Sequence, residues 1–299
     1  IEKSPGKYEL DPVIKKHFEE AADYGYGLVY CISGMPAFHR EDKKPHPIHP
    51  ILSFPENEEQ RKAMVAFVRF MCRELKGTVT HWEILNEYFN QVHYPGNPPM
   101  PLASQESMDN YVEILRAVAP EIRKADPNNK ILFAGMASLC VDAVDGVFKQ
   151  GTAALVDYLC WHPYYWLAPE DFYRESHPWA KDRPDIQTYM DAVNELKKVA
   201  ARHGFQGGYI ANEAWWQASY PWETNPQSWP YQNETELTKA KYCARTIAMH
   251  SGMGVIFMFC KTYFPELFVD AGLTRAVLST SRGPVMTTQA AYYVARTMS

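Results

Sequence analysis

The sequence predicts an α/β fold in which a parallel sheet is rolled into a barrel and covered by helices. Three observations lead there. Short apolar runs alternate in strict order with stretches of helical periodicity along the chain. The runs are apolar throughout, the pattern of strands buried on both faces. The charged and aromatic residues of chemical interest stand just after those runs, where the mouth of a parallel barrel would lie. A doubly wound sheet would satisfy the first two observations, but no glycine-rich phosphate loop follows any run.

In chain order, Asp11 to Tyr24 sets Val13, Ile14, His17, Phe18, Ala21 and Ala22 at helical spacing and leads into the strand Leu28 to Ile32. A proline-rich loop from Ser33 to Phe54 follows. Ser53-x-x-Glu56 fits a capping box for a helix with Met64, Val68, Met71 and Leu75 on its apolar face. Val79 to Leu85 reads as the next strand. The helix Ser104 to Lys124 turns Met108, Tyr111, Leu115, Val118 and Ile122 inward, and Pro120 is expected to kink it.

Lys130 to Met136 is a strand, Val141 to Gln150 a short helix, and Leu155 to Trp161 a strand. The helix Asp185 to His203 buries Ile186, Tyr189, Val193, Leu196 and Ala200, and a strand from Gly208 to Ala211 follows it. Glu234 to Ser251 is a helix with Leu237, Ala240, Ala244 and Ile247 inward, and Val255 to Phe259 is a strand. A closing helix is expected from Met286 to Thr297; Arg275 to Thr280 has strand character without an evident place.

The 299 residues, 46% hydrophobic and 22% charged, suit one large domain, expected to occupy 1–299. A net charge of −5 with no basic stripe gives a nucleic acid or an anionic membrane nothing to hold. No stretch approaches the roughly 18 apolar residues of a membrane span. The cysteines read as buried thiols rather than disulfides, because Cys31, Cys160 and Cys260 lie in apolar runs and Cys72 and Cys243 in helical patterns. Compartment and oligomeric state are open: the chain starts at Ile1 without a methionine, and the sequon Asn233-Glu234-Thr235 matters only in a secreted protein.

The candidate chemistry gathers at two matching stretches. Val79-Thr80-His81-Trp82-Glu83-Ile84-Leu85-Asn86-Glu87 is an apolar run ending on Asn-Glu, and Gly208-Tyr209-Ile210-Ala211-Asn212-Glu213 repeats that design. Two parallel barrel strands, each ending on a glutamate, would aim both carboxylates into one mouth. Glycoside hydrolysis requires such a pair.

These residues resemble the clan of retaining glycoside hydrolases built on a (β/α)8 TIM barrel, the clan of families 5, 10, 39 and 51, with family 39 nearest. Trp82-Glu83-Ile84-Leu85-Asn86-Glu87 is similar to the clan's fourth strand, His162-Pro163-Tyr164 to its sixth and Tyr209-Ile210-Ala211-Asn212-Glu213 to its seventh. The passage Ala125-Asp126-Pro127 into Lys130-Ile131-Leu132-Phe133-Ala134-Gly135 is similar to the clan's entry into strand five. In this register the strand ending at Ile32 is the third, so six of eight strands are recognisable and the chain is expected to be incomplete at its N-terminus. Tyr88 stands where the clan often has proline, and Asn212 where it often has threonine or serine.

The resemblance implies cleavage of β-linked glycosides by double displacement. Glu87 would be the acid/base, protonated to give its proton to the leaving oxygen, and Glu213 the ionised nucleophile. Asn86 would donate to the sugar 2-hydroxyl, Tyr164 to Glu213, and His162 would line the pocket. Seven of the eight tryptophans fall between Trp161 and Trp229. Trp166, Trp215, Trp216 and Trp222 are candidate sugar-stacking walls, with Tyr263 or Phe259 as the floor. This chemistry needs no cofactor and no metal. Two rival readings remain: a catalytically silent carbohydrate-binding barrel, and a metal-dependent barrel hydrolase drawing on His39, His46 and His49.

Overall fold

The computed structural model describes residues 1–44, 53–89, 103–163, 168–172, 174, 177–214, 235–258, 274–280, 283–288 and 290–298. They fall into two units, Ile1–Cys160 with Ser176–Trp179 and Glu195–Gly208, and Trp161–Glu175 with Ala180–Asn194 and Tyr209–Ser299. No helix among the described residues is long and apolar enough to cross a membrane.

The first unit opens with an antiparallel hairpin, β1 (Glu2–Ser4) and β2 (Lys7–Tyr8). Its turn needs Gly6 at φ +73°, and the Glu2 carboxylate accepts the Gly6 N–H at 2.8 Å. Helix α1 (Pro12–Asp23) starts where Asp11 accepts the Val13 N–H, with proline at its first position. Strands β3 (Val29–Ile32), β4 (His81–Ile84), β5 (Lys130–Leu132) and β6 (Tyr158–Trp161) run parallel in chain order. One rung crosses all four, Cys31 opposite Glu83, Glu83 opposite Leu132, and Leu132 opposite Tyr158.

Helices α2 (Glu58–Glu74), α3 (Gln105–Ala125) and α4 (Val141–Phe148) lie between these strands in sequence. Their inward faces are the ones the periodicity implies: Met64, Val68 and Met71 on α2, and Tyr111, Leu115, Val118 and Ile122 on α3, are buried. At the start of β5 and β6, Asp157 accepts the Ile131 N–H at 2.7 Å and pairs with Arg123 at 2.6 Å, which fixes the register of the two strands.

The second unit takes the last residue of β6, the start of α5 (Tyr189–Arg202) and most of β7 (Gly208–Ala211). It also holds α6 (Glu236–Gly252), β8 (Ile256–Phe257), β9 (Thr274–Thr280), β10 (Gly283–Thr288) and α7 (Ala290–Met298). The Asn212 N–H donates to the Trp161 carbonyl at 3.0 Å, and β7 pairs parallel with β8, Ile210 opposite Ile256. Parallel strands β3 to β8, six among the described residues, alternate with helices and make the chain an α/β protein.

Four sequence expectations are corrected. The cap of α2 is Asn57, which accepts from the Gln60 N–H, while Gln60 returns its carbonyl to the Glu56 N–H. The cap thus sits four residues beyond Ser53, and Gln60 accepts from the residue before the cap rather than from the cap itself, so no capping box is closed. Helix α5 starts at Tyr189 rather than Asp185, where Thr188 and Asp191 cap each other reciprocally after Pro184. On α6 the buried stripe is Lys239, Ala240, Cys243, Thr246 and His250, and Leu237 is 62% exposed. Polar residues turn inward there because His250 finds partners in the core. Finally, Met286 to Thr288 belong to β10, which pairs antiparallel with β9, so the closing helix begins only at Ala290.

The expected inward face of α5 holds, and Cys72, Cys140, Cys160 and Cys243 are buried free thiols, with Cys31 partly buried. Cys260 lies outside the described residues. No residue of α1 is buried, and Val13 is 60% exposed.

Two glycines lead into β7 because the chain passes too close to its neighbour for a side chain. A Cβ on Gly207 would sit 2.0 Å from the Asp157 carbonyl oxygen, the same atom that accepts the Gly208 N–H at 2.8 Å. Gly207→Ala is therefore expected to lower stability by about 2 kcal/mol in urea unfolding; an unchanged midpoint would contradict this packing.

Candidate active site

The first candidate carboxylate, Glu87, is reached by an unusual turn. Beyond β4 the backbone enters the left-handed region at Leu85 (φ +71°) and again at Glu87 (φ +47°). For side chains with a Cβ this costs about 1 kcal/mol or more at each residue. What offsets it is pairing with the segment after β5. Gly135 accepts the Glu87 N–H at 2.7 Å, and its own N–H reaches the Leu85 carbonyl at 3.3 Å and the Glu83 carboxylate at 3.0 Å. Asn86 bridges Gly135 in parallel register.

A second staple comes from α3. The Tyr111 hydroxyl donates to the Ile84 carbonyl at 3.1 Å and accepts the Ala134 N–H at 2.7 Å, so one buried phenol joins both strand ends. Burial pushes that phenol well above its ordinary pKa, so it stays a donor throughout the accessible range. Tyr88, at the position where the resemblance expects proline, is packed against Phe54, Phe89 and Tyr111, and its hydroxyl accepts from Asn110 at 2.8 Å. The side chain that follows Asn86-Glu87 is thus an anchor.

The second candidate carboxylate, Glu213, follows β7 in the second unit. The His162 Nδ1 lies 3.7 Å from Glu213 Oε2, an electrostatic contact rather than a hydrogen bond, with His162 1% and Glu213 26% exposed. His162 follows Trp161, and Asn212 pairs with the Trp161 carbonyl, so one rung of the ladder aligns the two side chains.

Trp161 is held from behind by a hydrogen-bond chain with a single direction. Its indole Nε1–H donates to the Tyr189 oxygen at 2.7 Å. Tyr189 and His250 Nε2 are 3.0 Å apart, and His250 Nδ1 lies 2.8 Å from the Thr246 carbonyl. A carbonyl can only accept, so Nδ1 carries the proton and Nε2 accepts from the Tyr189 O–H. Burial pulls the His250 pKa from its ordinary 6.5 to about 4, and the hydrogen bond to Thr246 opposes this only in part. The imidazole is neutral at neutral pH, the state the chain demands.

Of the residues singled out from sequence, Asn86 and Glu87 stand together after β4, and His162 and Glu213 stand together in the second unit. Tyr164, Trp166, Trp215, Trp216, Trp222, Phe259 and Tyr263 lie outside the described residues, as do His46 and His49. His39 is paired with the Glu2 carboxylate at 3.0 Å. The residues that sequence reasoning missed are supports: Glu83, Tyr111, Gly135, Tyr189 and His250. Glu83 gave one signal, a charge in an otherwise apolar run.

The chain has the fold of the clan A-like TIM-barrel glycoside hydrolases. A family 39 glycoside hydrolase from the gut symbiont Bacteroides cellulosilyticus WH2 superposes with a TM-score of 0.65 at 17% identity, over 99% of this chain and 55% of that one. A glucosidase from Croceicoccus marinus gives 0.53 at 17% identity, over 91% and 51%. A psychrophilic family 10 endo-β-1,4-xylanase gives 0.55 at 11% identity, over 90% and 77%. The chain thus spans about half the length of the first two. No protein-family model and no curated protein matches the sequence.

The neutral His250 has a consequence for stability. Its folded pKa of about 4 lies below its ordinary 6.5, so between those values the unfolded chain takes up a proton that the folded chain does not. Stability from this group is complete above about pH 6.5 and is lost as pH falls toward 4, by at most roughly 3 kcal/mol. Urea unfolding at pH 7, 6 and 5 is expected to show that slope. His250→Gln should be less stable at pH 7 and flatter across the window; an equal slope in both proteins would contradict the buried neutral imidazole.

Proposed function

We propose that the protein is a retaining glycoside hydrolase acting on β-linked glycosides or oligosaccharides, with Glu87 as acid/base and Glu213 as nucleophile. The observation that carries this reading is the placement of each glutamate directly after a parallel strand, β4 and β7, in a fold shared with glycoside hydrolases. In such a reaction the ionised Glu213 carboxylate attacks the anomeric carbon while Glu87 protonates the departing oxygen. The two carboxyl groups of a retaining pair stand about 5 to 5.5 Å apart. Water then enters with Glu87 as base, and the sugar leaves Glu213 with its configuration retained.

The surroundings of each carboxylate support these roles. The His162 Nδ1 stands 3.7 Å from Glu213 Oε2, so a polar side chain faces the proposed nucleophile. Asn86, adjacent to Glu87, is the candidate donor to the sugar 2-hydroxyl, a contact that strengthens as positive charge develops on the ring. Trp166, Trp215, Trp216 and Tyr263 are proposed to stack on sugar faces, and Tyr164 to donate to Glu213. The residues that carry the reaction supply acid, base and nucleophile, so the scheme calls for no metal or cofactor.

Glu87→Gln tests the reading. On phenyl β-glycosides, whose leaving group needs a proton, kcat is expected to fall by about 10²- to 10⁴-fold. On 2,4-dinitrophenyl β-glycosides, which leave unaided, formation of the glycosyl-enzyme should be nearly unaffected. Saturable sugar binding in the wild type without turnover on any substrate would instead identify a silent carbohydrate-binding barrel.

A further inference from the structure

From the contacts around Gly135 we infer that Glu83 is a positioning residue for Glu87: its buried carboxylate fixes the left-handed turn that aims the acid/base. The inference rests on the acid/base reading of Glu87 given above. Glu83 is in the middle of β4 and 3% exposed, surrounded by a core in which Trp82, Ile84 and Leu132 are also buried. An apolar residue there would pack without a desolvation penalty, whereas a buried carboxyl group is costly unless its hydrogen bonds are made. Core filling alone does not account for it.

What Glu83 does in that position is specific. Its Oε1 accepts the Gly135 N–H at 3.0 Å, and the alternative acceptor of that N–H, the Leu85 carbonyl, is more distant at 3.3 Å. The other side of the same peptide segment, the Gly135 carbonyl, takes the Glu87 N–H at 2.7 Å. Glu83 and Glu87 thus grip one residue of the neighbouring segment from its two polar groups. The segment from Glu83 to Glu87 holds the two left-handed residues, Leu85 and Glu87, whose backbone would relax toward the right-handed region if the grip loosened. A relaxed φ at Glu87 swings its side chain, and a misplacement of about 1 Å in a reacting group costs on the order of 10²-fold in rate.

Two conservative variants separate this role from core filling. Glu83→Asp keeps the carboxyl group but withdraws the acceptor from Gly135; Glu83→Gln replaces it with an amide whose carbonyl oxygen can still accept. Both would be assayed on phenyl and 2,4-dinitrophenyl β-D-glucosides, β-D-xylosides and β-D-galactosides. On whichever sugar is turned over, Glu83→Asp is expected to lose about 10- to 100-fold in kcat/KM on the phenyl glycoside. On the dinitrophenyl glycoside kcat/KM, which reports glycosylation alone, should stay within about threefold, because that leaving group needs no proton. Glu83→Gln should stay within about threefold on both substrates.

Equal losses by Glu83→Asp on both leaving groups, or no loss on either, would overturn the inference. If Glu83→Asp does not fold, Glu83→Gln decides: wild-type turnover on both substrates supports the acceptor role, and a uniform loss overturns it. Glu87→Gln assayed alongside keeps the two claims distinguishable. A leaving-group split in Glu87→Gln without one in Glu83→Asp defeats only the positioning role, whereas no split in Glu87→Gln defeats the acid/base assignment and this inference with it.

Discussion

The first unit depends on one constraint, the pairing of the Gly135 peptide with the left-handed turn after β4. Parallel strands end where their ladder ends, and a chain leaving a strand would ordinarily fan out into a loop. Here the ladder continues past the last residue of β4 through the Leu85, Asn86 and Glu87 backbone. Two non-glycine residues are held in a region they disfavour, and the buried phenol of Tyr111 and the carboxylate of Glu83 lock the partner segment. Unfavourable backbone geometry that persists only because its surroundings enforce it is common at functional sites. It fixes the direction of one side chain, Glu87, at the expense of local stability.

The second unit solves the same problem by other means. The residue facing Glu213 is His162, whose position follows from the β6 backbone, and that backbone is anchored through Trp161. In the Trp161, Tyr189, His250 and Thr246 chain the phenol both accepts and donates and each imidazole nitrogen has one role, so the arrangement has one tautomer and one direction. Such a network is stable only when complete, since a buried donor left unmatched costs about 1 to 3 kcal/mol. The pairing of both His250 ring nitrogens accounts for the burial of that polar residue on α6.

Strand order, helix order and the placement of Glu87 and Glu213 just after strands were legible in the sequence, because both faces of a parallel strand are buried and an Asn-Glu pair at the end of an apolar run stands out. The faces of α2, α3 and α5 were legible for the same reason of periodicity. The face of α6 was not: Lys239, Thr246 and His250 are polar yet buried, and His250 meets its partners, Tyr189 and the Thr246 carbonyl, only in the fold. Helix starts at Asn57 and Thr188 were displaced by a few residues because several nearby side chains can cap, and local competition picks one. The short hairpin at Glu2 to Tyr8 carries no periodic signal at all. Glu83 was visible as a charge in an apolar run, but its role needed the position of Gly135, a residue far away in sequence and adjacent only through the β4 and β5 ladder.

The proposed mechanism turns on Glu213 being the group that attacks the sugar. Incubating the protein with 2,4-dinitrophenyl 2-deoxy-2-fluoro β-glycosides of glucose, xylose and galactose, then measuring intact mass and mapping the labelled peptide, tests it most directly. The fluorine slows both chemical steps while the activated leaving group keeps the first one accessible, so a retaining enzyme accumulates its glycosyl intermediate. The account expects one added fluorosugar, located on Glu213. A label on another residue, or no label from any sugar on folded protein that turns over the matching substrate, would contradict it.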